Sequence, residues 1–315
     1  MLLNKFRLIK MEVELRNGKL MPLVSFGTFD LKKADCKQAI VEAVRTGYTN
    51  IDCAAIYQNE IEVGDGIQEA LSLGLVTREK LFVTTKVWMS NYRNIRQACL
   101  NSLKRLKLSY VDQYLLHWPF ALQPSEDEQP TYVPGTAVFD KFPLHLAWAQ
   151  MEALVDEGLV KSIGVSNWTV GLLNDLFGYA RIFPVTNQFE INPYNQKKEL
   201  VDFCLNNRII PVAYRVIYRP PDTALFDFKK CILDDPIINE IAQKYGKSPS
   251  QVLLSWCLSR NCSYVVKTVT KSRMLENLDP QFLKMSSSDL EKINSMPYEG
   301  EYNDTFLLFG IHLFK

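Results

Sequence analysis

Eight short apolar runs recur along this chain, each followed by a stretch with helical spacing, and few folds accept that pattern. The runs are Leu23–Phe26, Tyr48–Asp52, Leu81–Lys86, Val111–His117, Ser162–Ser166, Val185–Glu190, Ile209–Tyr214 and Ser263–Lys267. They lack the polar alternation of a half-exposed sheet, so both faces of each strand are expected to be covered. Helical spacing over Lys33–Thr46, Glu60–Ser72, Ile95–Lys107, Leu144–Glu157, Leu172–Tyr179 and Glu199–Asn206 separates them. Helices near Pro236–Lys244 and Pro249–Ser259 follow the seventh run, and another from about Met274 follows the eighth. The pattern predicts an α/β protein, a (β/α)8 TIM barrel, which typically takes ~250 residues. The rest of the 315 residues is an N-terminal hairpin, two long loops, a helix over Asp289–Ser295 and an aromatic tail. An open doubly wound sheet is the competing architecture. Against it, no GxGxxG follows the first strand; Gly18 and Gly27 have the wrong spacing.

Asn17-Gly18, between Glu12–Leu15 and Lys19–Leu23, is expected to form a two-residue hairpin turn with both positions at positive φ. No linker or low-complexity tract interrupts the chain, so residues 1–315 read as one domain. A net charge of +1 without charge runs points away from nucleic acid and anionic membranes as partners. No apolar run approaches the ~18 residues of a membrane span, and the first ten residues do not read as a secretion signal. Seven single cysteines without a CxxC pair suit reduced thiols and a cytoplasmic location. The three histidines, His117, His145 and His312, are dispersed, so no metal site and no metal-dependent hydrolase are expected.

In a parallel barrel, function sits at the C-terminal ends of the strands. Those ends carry Asp52, Lys86 and His117, with Tyr57 just beyond the second strand. Singly, each has a plain structural role open to it. Asp52 can cap a turn or pair with Lys86 to close the barrel top, Tyr57 can be a half-buried aromatic, and His117 can be a satisfied core residue. Together they make an apparatus for protonating an oxyanion as it forms. A phenol ionises near pH ~10. A neighbouring ammonium is expected to lower that value, an aspartate to keep the lysine charged, and a histidine to hydrogen-bond a carbonyl. The group contains no nucleophile or electrophile, so a hydride would have to come from a cofactor.

With these motifs the sequence resembles the aldo-keto reductase superfamily from about Met21 to Asn277. The carrying stretches are Gly27-Thr28, Asp52 with Tyr57-Gln58-Asn59-Glu60, Thr85-Lys86-Val87-Trp88 and Leu116-His117-Trp118-Pro119. They continue through Gly164–Trp168, Asn187–Pro193 and Lys267-Thr268-Val269-Thr270 with Arg273, Glu276 and Asn277. The likeness is nearest to the aldose and xylose reductase branch, especially its forms from single-celled eukaryotes. It implies Tyr57 as general acid, Lys86 and Asp52 as its tuning pair, and His117 as the group that orients the carbonyl. It further implies that NADPH is preferred over NADH. Ser166, Asn167 and Gln188 would hold the nicotinamide carboxamide, and Tyr214 would stack on the ring. Lys267, Thr268 and Arg273 would clamp the 2′-phosphate, Glu276 and Asn277 would lie near the adenine, and Gly27, Thr28, Asp52 and Val269 would complete the cofactor site.

Phe29, Trp88, Trp118 and Phe120, with the tail around Phe306–Phe309, would line the pocket for a small carbonyl substrate, an aldose or another small aldehyde. The resemblance implies a monomer or weak dimer. The alternative is a non-catalytic or weakly active NADPH-binding relative with a regulatory or structural role. Three departures from the family pattern stand out. Phe29 occupies a usual tryptophan position, Val266 a usual proline, and Arg215 the serine of Tyr-Ser-Pro-Leu after the seventh strand. Arg215 is expected to reach the cofactor pyrophosphate through charge-assisted hydrogen bonds, with Arg219 adding a second contact.

Overall fold

The structure is a computed structural model that describes residues 8–9, 11–124, 130–217, 230–279 and 283–314. Eight parallel strands close on themselves. They are β1 (Val24–Gly27), β2 (Asn50–Asp52), β3 (Phe82–Val87), β4 (Gln113–Leu116), β5 (Ile163–Ser166), β6 (Thr186–Glu190), β7 (Ile210–Tyr214) and β8 (Ser263–Val266). Closure is made by β8 against β1, where Tyr264, Val265 and Val266 pair with Val24, Ser25 and Phe26. A closed sheet has no edge, and the open-sheet alternative falls.

The residues that make the strands are covered on both faces, as their uninterrupted apolar character requires. Phe82–Val87 is buried at all six positions. Outside the barrel lie helices whose apolar stripes pack onto it, among them Lys33–Thr46, Glu60–Ser72, Ile95–Leu106 and Leu144–Asp156. Their ends are set locally: Ser248 and Gln251 form a reciprocal capping box at the start of Pro249–Ser259, with Pro249 in the first turn. Among the described residues no helix is long and apolar enough to cross a membrane.

The N-terminal hairpin plugs the bottom of the barrel. Val13, Leu15, Met21 and Leu23 pack against Phe82, Val185, Ile210 and Val212 at strand starts. Only the opposite face, at the strand C-termini, is left for a site. The hairpin turn differs from the two-residue turn expected. Leu15 N donates to Lys19 O at 2.8 Å, and only Gly18 has positive φ, at +80°. The loop is therefore three residues long, a length that requires one left-handed residue rather than two, and glycine takes that place. A third strand, Leu8–Ile9, extends the hairpin.

Some boundaries also moved. Val111 makes only an isolated bridge to Val160, so β4 starts at Gln113 and His117 lies one residue past its end. The long loop after β4 holds a small antiparallel pair, Ala121–Leu122 with Phe139–Asp140. The aromatic tail carries a short helix, Thr305–Phe309, started by the Asp304 side chain.

Candidate active site

The top of the barrel gathers Asp52, the last residue of β2, and Lys86, the penultimate residue of β3. Tyr57 joins them from the single 3-10 turn Ala55–Tyr57 that follows β2. The parallel register places Asp52 opposite Thr84, two residues before Lys86, on the neighbouring strand. Lys86 is fully buried. Its ammonium has three protons, and three acceptors surround it: Asp52 Oδ1 at 2.6 Å, the Cys53 carbonyl at 3.0 Å and the Tyr57 hydroxyl at 3.3 Å. The second Asp52 oxygen accepts from Gln188 Nε2 at 2.8 Å. Both carboxylate oxygens and the ammonium are thus satisfied without water, the condition under which a buried ion pair is tolerated.

Burial works against the Lys86 charge, but Asp52 and then Tyr57 together outweigh it and hold its pKa above the ordinary lysine value. For Tyr57, burial is the largest influence and raises the phenol pKa; Lys86 opposes it and does not reverse it. The expected lowering of the phenol pKa is therefore not the net result in this site, because desolvation exceeds the pull of one ammonium. The consequence favours a proton donor. Tyr57 stays protonated at neutral pH, its oxygen accepts from Lys86, and its own O–H is left to point elsewhere.

His117 follows β4 immediately, with its backbone N–H on the Val87 carbonyl at 3.3 Å. Its ring meets Tyr57 edge-on at 5.8 Å and Trp88 at 5.2 Å. Burial, then the Lys86 charge, hold its pKa well below the usual value, so the imidazole is neutral. Nδ1 is buried without a hydrogen-bond partner, an exposed chemical need at the heart of the site.

Around this centre stands an aromatic wall. Phe29 meets Tyr57 edge-on at 5.1 Å and is itself 58% exposed. Trp88 and Trp118 are buried, and Phe120 is half-buried. The tail residue among them is Phe309, 4.9 Å from Trp118, 5.0 Å from Phe120 and 5.2 Å from Tyr132. Phe306 lies outside the wall; it is exposed and stacks on His312 at 4.7 Å. The two lie three residues apart in a helix of barely more than one turn, yet Phe309 is 4% exposed and Phe306 51%. Tyr132 gave no motif and was not found from sequence.

The residues expected to hold the cofactor divide into two groups. Ser166, Asn167, Gln188 and Tyr214 lie together at the ends of β5, β6 and β7. Ser166 Oγ donates to the Gln188 carbonyl at 2.8 Å, and Asn167 Nδ2 donates to the His117 carbonyl at 3.0 Å. Tyr214 donates to Asn167 Oδ1 at 2.7 Å and accepts from Asn303 in the tail at 3.0 Å. Asn167 sits at φ +64°, a conformation asparagine tolerates better than most residues. The second group follows β8. Lys267 and Arg273 are exposed, with Lys267 only 3.6 Å from Asp30, itself 81% exposed. Thr268 is buried and accepts from Thr270 N at 3.1 Å, and Val269 is exposed. Glu276 accepts from Ser248 Oγ, and the Asn277 carbonyl from Tyr264 at 2.7 Å.

Thr28 is bound by both its N–H and Oγ1 to the Asp52 carbonyl, at 3.0 and 3.1 Å. At Gly27 a Cβ would lie 2.7 Å from Val265 Cγ1, so its smallness serves the β1–β8 contact. Arg215 follows β7 at φ +55°, close enough to Glu190 on β6 that its positive charge favours that carboxylate. Arg219 lies outside the described residues.

Comparison with known proteins gives this arrangement its family. Residues 24–297 match the model of the aldo/keto reductase family. The chain is 36% identical over 288 residues to an NADP-dependent D-sorbitol-6-phosphate dehydrogenase of Malus domestica, covering 90% of this chain and 93% of that protein. It is 37% identical over 286 residues to aldo-keto reductase family 1 member A1-A of Danio rerio, covering 90% and 88%. The aldose reductase structure from Schistosoma japonicum superposes with a TM-score of 0.85 at 32% identity, covering 95% and 96%. The chain belongs to the aldo/keto reductase family, an oxidoreductase family whose chemistry is carbonyl reduction.

Proposed function

We propose that this aldo/keto reductase family member reduces small aldehydes and ketones to alcohols with NADPH. Tyr57 acts as general acid, Lys86 and Asp52 tune it, and His117 orients the carbonyl. The observation that carries the reading is the convergence of the buried Lys86 ammonium on Asp52, the Cys53 carbonyl and the Tyr57 hydroxyl. A structural ion pair needs only the first of these; the contact to a phenol serves a proton transfer.

NADPH, when bound, supplies the hydride that the side chains themselves lack. The donor set suits its two ends. Ser166, Asn167 and Gln188 offer both donors and acceptors to an amide, and Tyr214 adds a ring beside them. Lys267 and Arg273, beside the start of the helix Lys271–Leu278, suit a phosphate. The Malus domestica relative is NADP-dependent by name, which supports the same cofactor here.

The work of the protein is then to hold and move one proton. His117, neutral and with one ring N–H, donates to the carbonyl oxygen and fixes its direction. The O–H of Tyr57 donates to the same oxygen and gives up its proton as negative charge develops there, leaving a phenolate. Lys86 answers that phenolate with its N–H, and Asp52 keeps the ammonium charged throughout. In a buried site these fixed groups need little reorganisation, which is where such electrostatic help is greatest. The aromatic wall excludes water and accepts an apolar substrate body. We place the enzyme in the cytoplasm as a monomer or weak dimer. The seven cysteines, none joined in a disulfide, are in keeping with that location.

The test has two stages. Tryptophan fluorescence is expected to fall on titration with NADPH, since Trp88 lines the site. NADPH absorbance is then expected to decline with a panel of aldehydes. Binding without consumption of any aldehyde would transfer the protein to a non-catalytic role.

A further inference from the structure

Glu190 ends β6 with a buried carboxylate that the proton transfer does not use. Its oxygens accept from the backbone N–H of Tyr302 at 3.0 Å and of Asn303 at 2.9 Å, and from the amides of Asn195 at 3.2 Å and Asn192 at 3.3 Å. Two of these donors belong to the C-terminal tail, more than a hundred residues away in sequence. Nearby bonds tie the same segment to the loop after β6: Glu299 N to the Tyr194 carbonyl at 3.1 Å, and Lys197 to Glu301. Six residues beyond Asn303 the tail delivers Phe309 into contact with Trp118, Phe120 and Tyr132. The far side of that short helix is clamped as well. The Leu308 carbonyl accepts from Gly135 N at 2.9 Å and the Tyr132 hydroxyl at 2.6 Å. One wall of the substrate pocket is thus a tail segment held to two strand ends of the barrel, its backbone by the buried Glu190 carboxylate and its Asn303 side chain by the Tyr214 hydroxyl.

We propose that Glu190 is a specificity-determining positioning residue: by holding the backbone of Tyr302 and Asn303 it fixes Phe309 as a pocket wall and sets which aldehydes bind well. The inference rests on the carbonyl-reductase reading of the site. It concerns the part of the substrate remote from the reacting carbonyl. A bulky aromatic aldehyde gains from an ordered Phe309, whereas a short aliphatic one does not reach it.

Glu190→Gln is the direct test. An amide replaces one acceptor oxygen with an NH2, which then faces a backbone N–H of the tail. KM for 4-nitrobenzaldehyde at saturating NADPH is expected to rise about fivefold to tenfold, up to the worth of one aromatic pair. The kcat/KM for propanal is expected to hold within about twofold, since that substrate makes no such pair. Amide exchange at residues 302–309 is expected to quicken. Glu190→Asp keeps the carboxylate but withdraws it by one methylene from the Tyr302 and Asn303 N–H groups, and is expected to show the same split between substrates; it decides the matter should the glutamine variant not fold. A change of equal size for both aldehydes, or none for either, overturns the proposal. Wild-type protein that turns over neither aldehyde sinks the reading of the site instead, and exchange at Tyr302 and Asn303 still decides whether Glu190 holds the tail.

Discussion

Asp52 and Glu190 are both buried carboxylates at the C-terminal ends of barrel strands, yet the chain treats them in opposite ways. Asp52 faces a full positive charge, Lys86, at 2.6 Å, with one amide on its other oxygen. Glu190 is held mainly by dipoles: two backbone N–H groups and two asparagine amides. Burial is the largest influence on Glu190 and raises its pKa; the tail N–H groups, then Arg215, only offset it. Charge paired with charge produces a field that can act on a third group, here Tyr57. Charge paired with dipoles produces a mechanical hold, here on the tail.

Breaking the two corners should therefore give different costs. Lys86→Met strips Asp52 of its partner and leaves a buried carboxylate unpaired, which typically costs about 3–5 kcal/mol. Turnover is expected to fall together with stability, by at least about a hundredfold, the usual scale for losing acid–base assistance. Urea denaturation and NADPH consumption on the same preparation check both. Glu190→Gln should change stability by only about 1 kcal/mol or less, since the lost acceptor is offset by removing a charge that burial disfavours. The sign of its linkage says the same. A carboxyl with a raised native pKa contributes stability that is present at low pH and lost as pH rises through that value. Equal losses in the two variants would erase the distinction between the corners.

The smallest expected effect concerns His117, which borders the charged corner. Its native pKa is depressed by burial and by Lys86, so the unfolded chain binds its proton first as pH falls below about 6.5. Stability present above that pH is then lost on acidification, with a slope of at most about 1.4 kcal/mol per pH unit from this one group. Urea midpoints at pH 7 and pH 5.5 should diverge in wild type and converge in His117→Gln.

The same contrast explains what the sequence made legible. Asp52, Lys86 and Tyr57 come from adjacent strands and one short turn, so a parallel barrel brings them together once its strands are in order. The eight apolar runs supplied that order. Glu190 draws its partners from Tyr302 and Asn303, in a tail with no repeating pattern, and nothing in strand spacing predicts where a tail will lie. That the tail around Phe306–Phe309 lines the pocket was legible, but that Phe309 and not Phe306 is the wall residue was not, and Tyr132 lies in a loop after β4. Arg215 shows a subtler limit. Its unusual presence was visible, but its neighbour Glu190, reached through the register that pairs Glu190 with Tyr214, was not. The net rise of the Tyr57 pKa depends on how far burial exceeds a neighbouring charge, a balance that residue identities alone do not fix.

Replacing Tyr57 with phenylalanine tests the central claim most directly, because it removes one oxygen and leaves the Lys86–Asp52 pair intact. The ring contacts to Phe29 and His117 remain available. With kcat, KM and the NADPH dissociation constant measured side by side, kcat and kcat/KM should fall together by at least about a hundredfold. NADPH affinity should stay within about twofold, because a group that acts only in the transition state adds nothing to cofactor binding. A variant that keeps more than about a tenth of the wild-type kcat has lost less than roughly 1.4 kcal/mol. That result would contradict the assignment of Tyr57 as the acid.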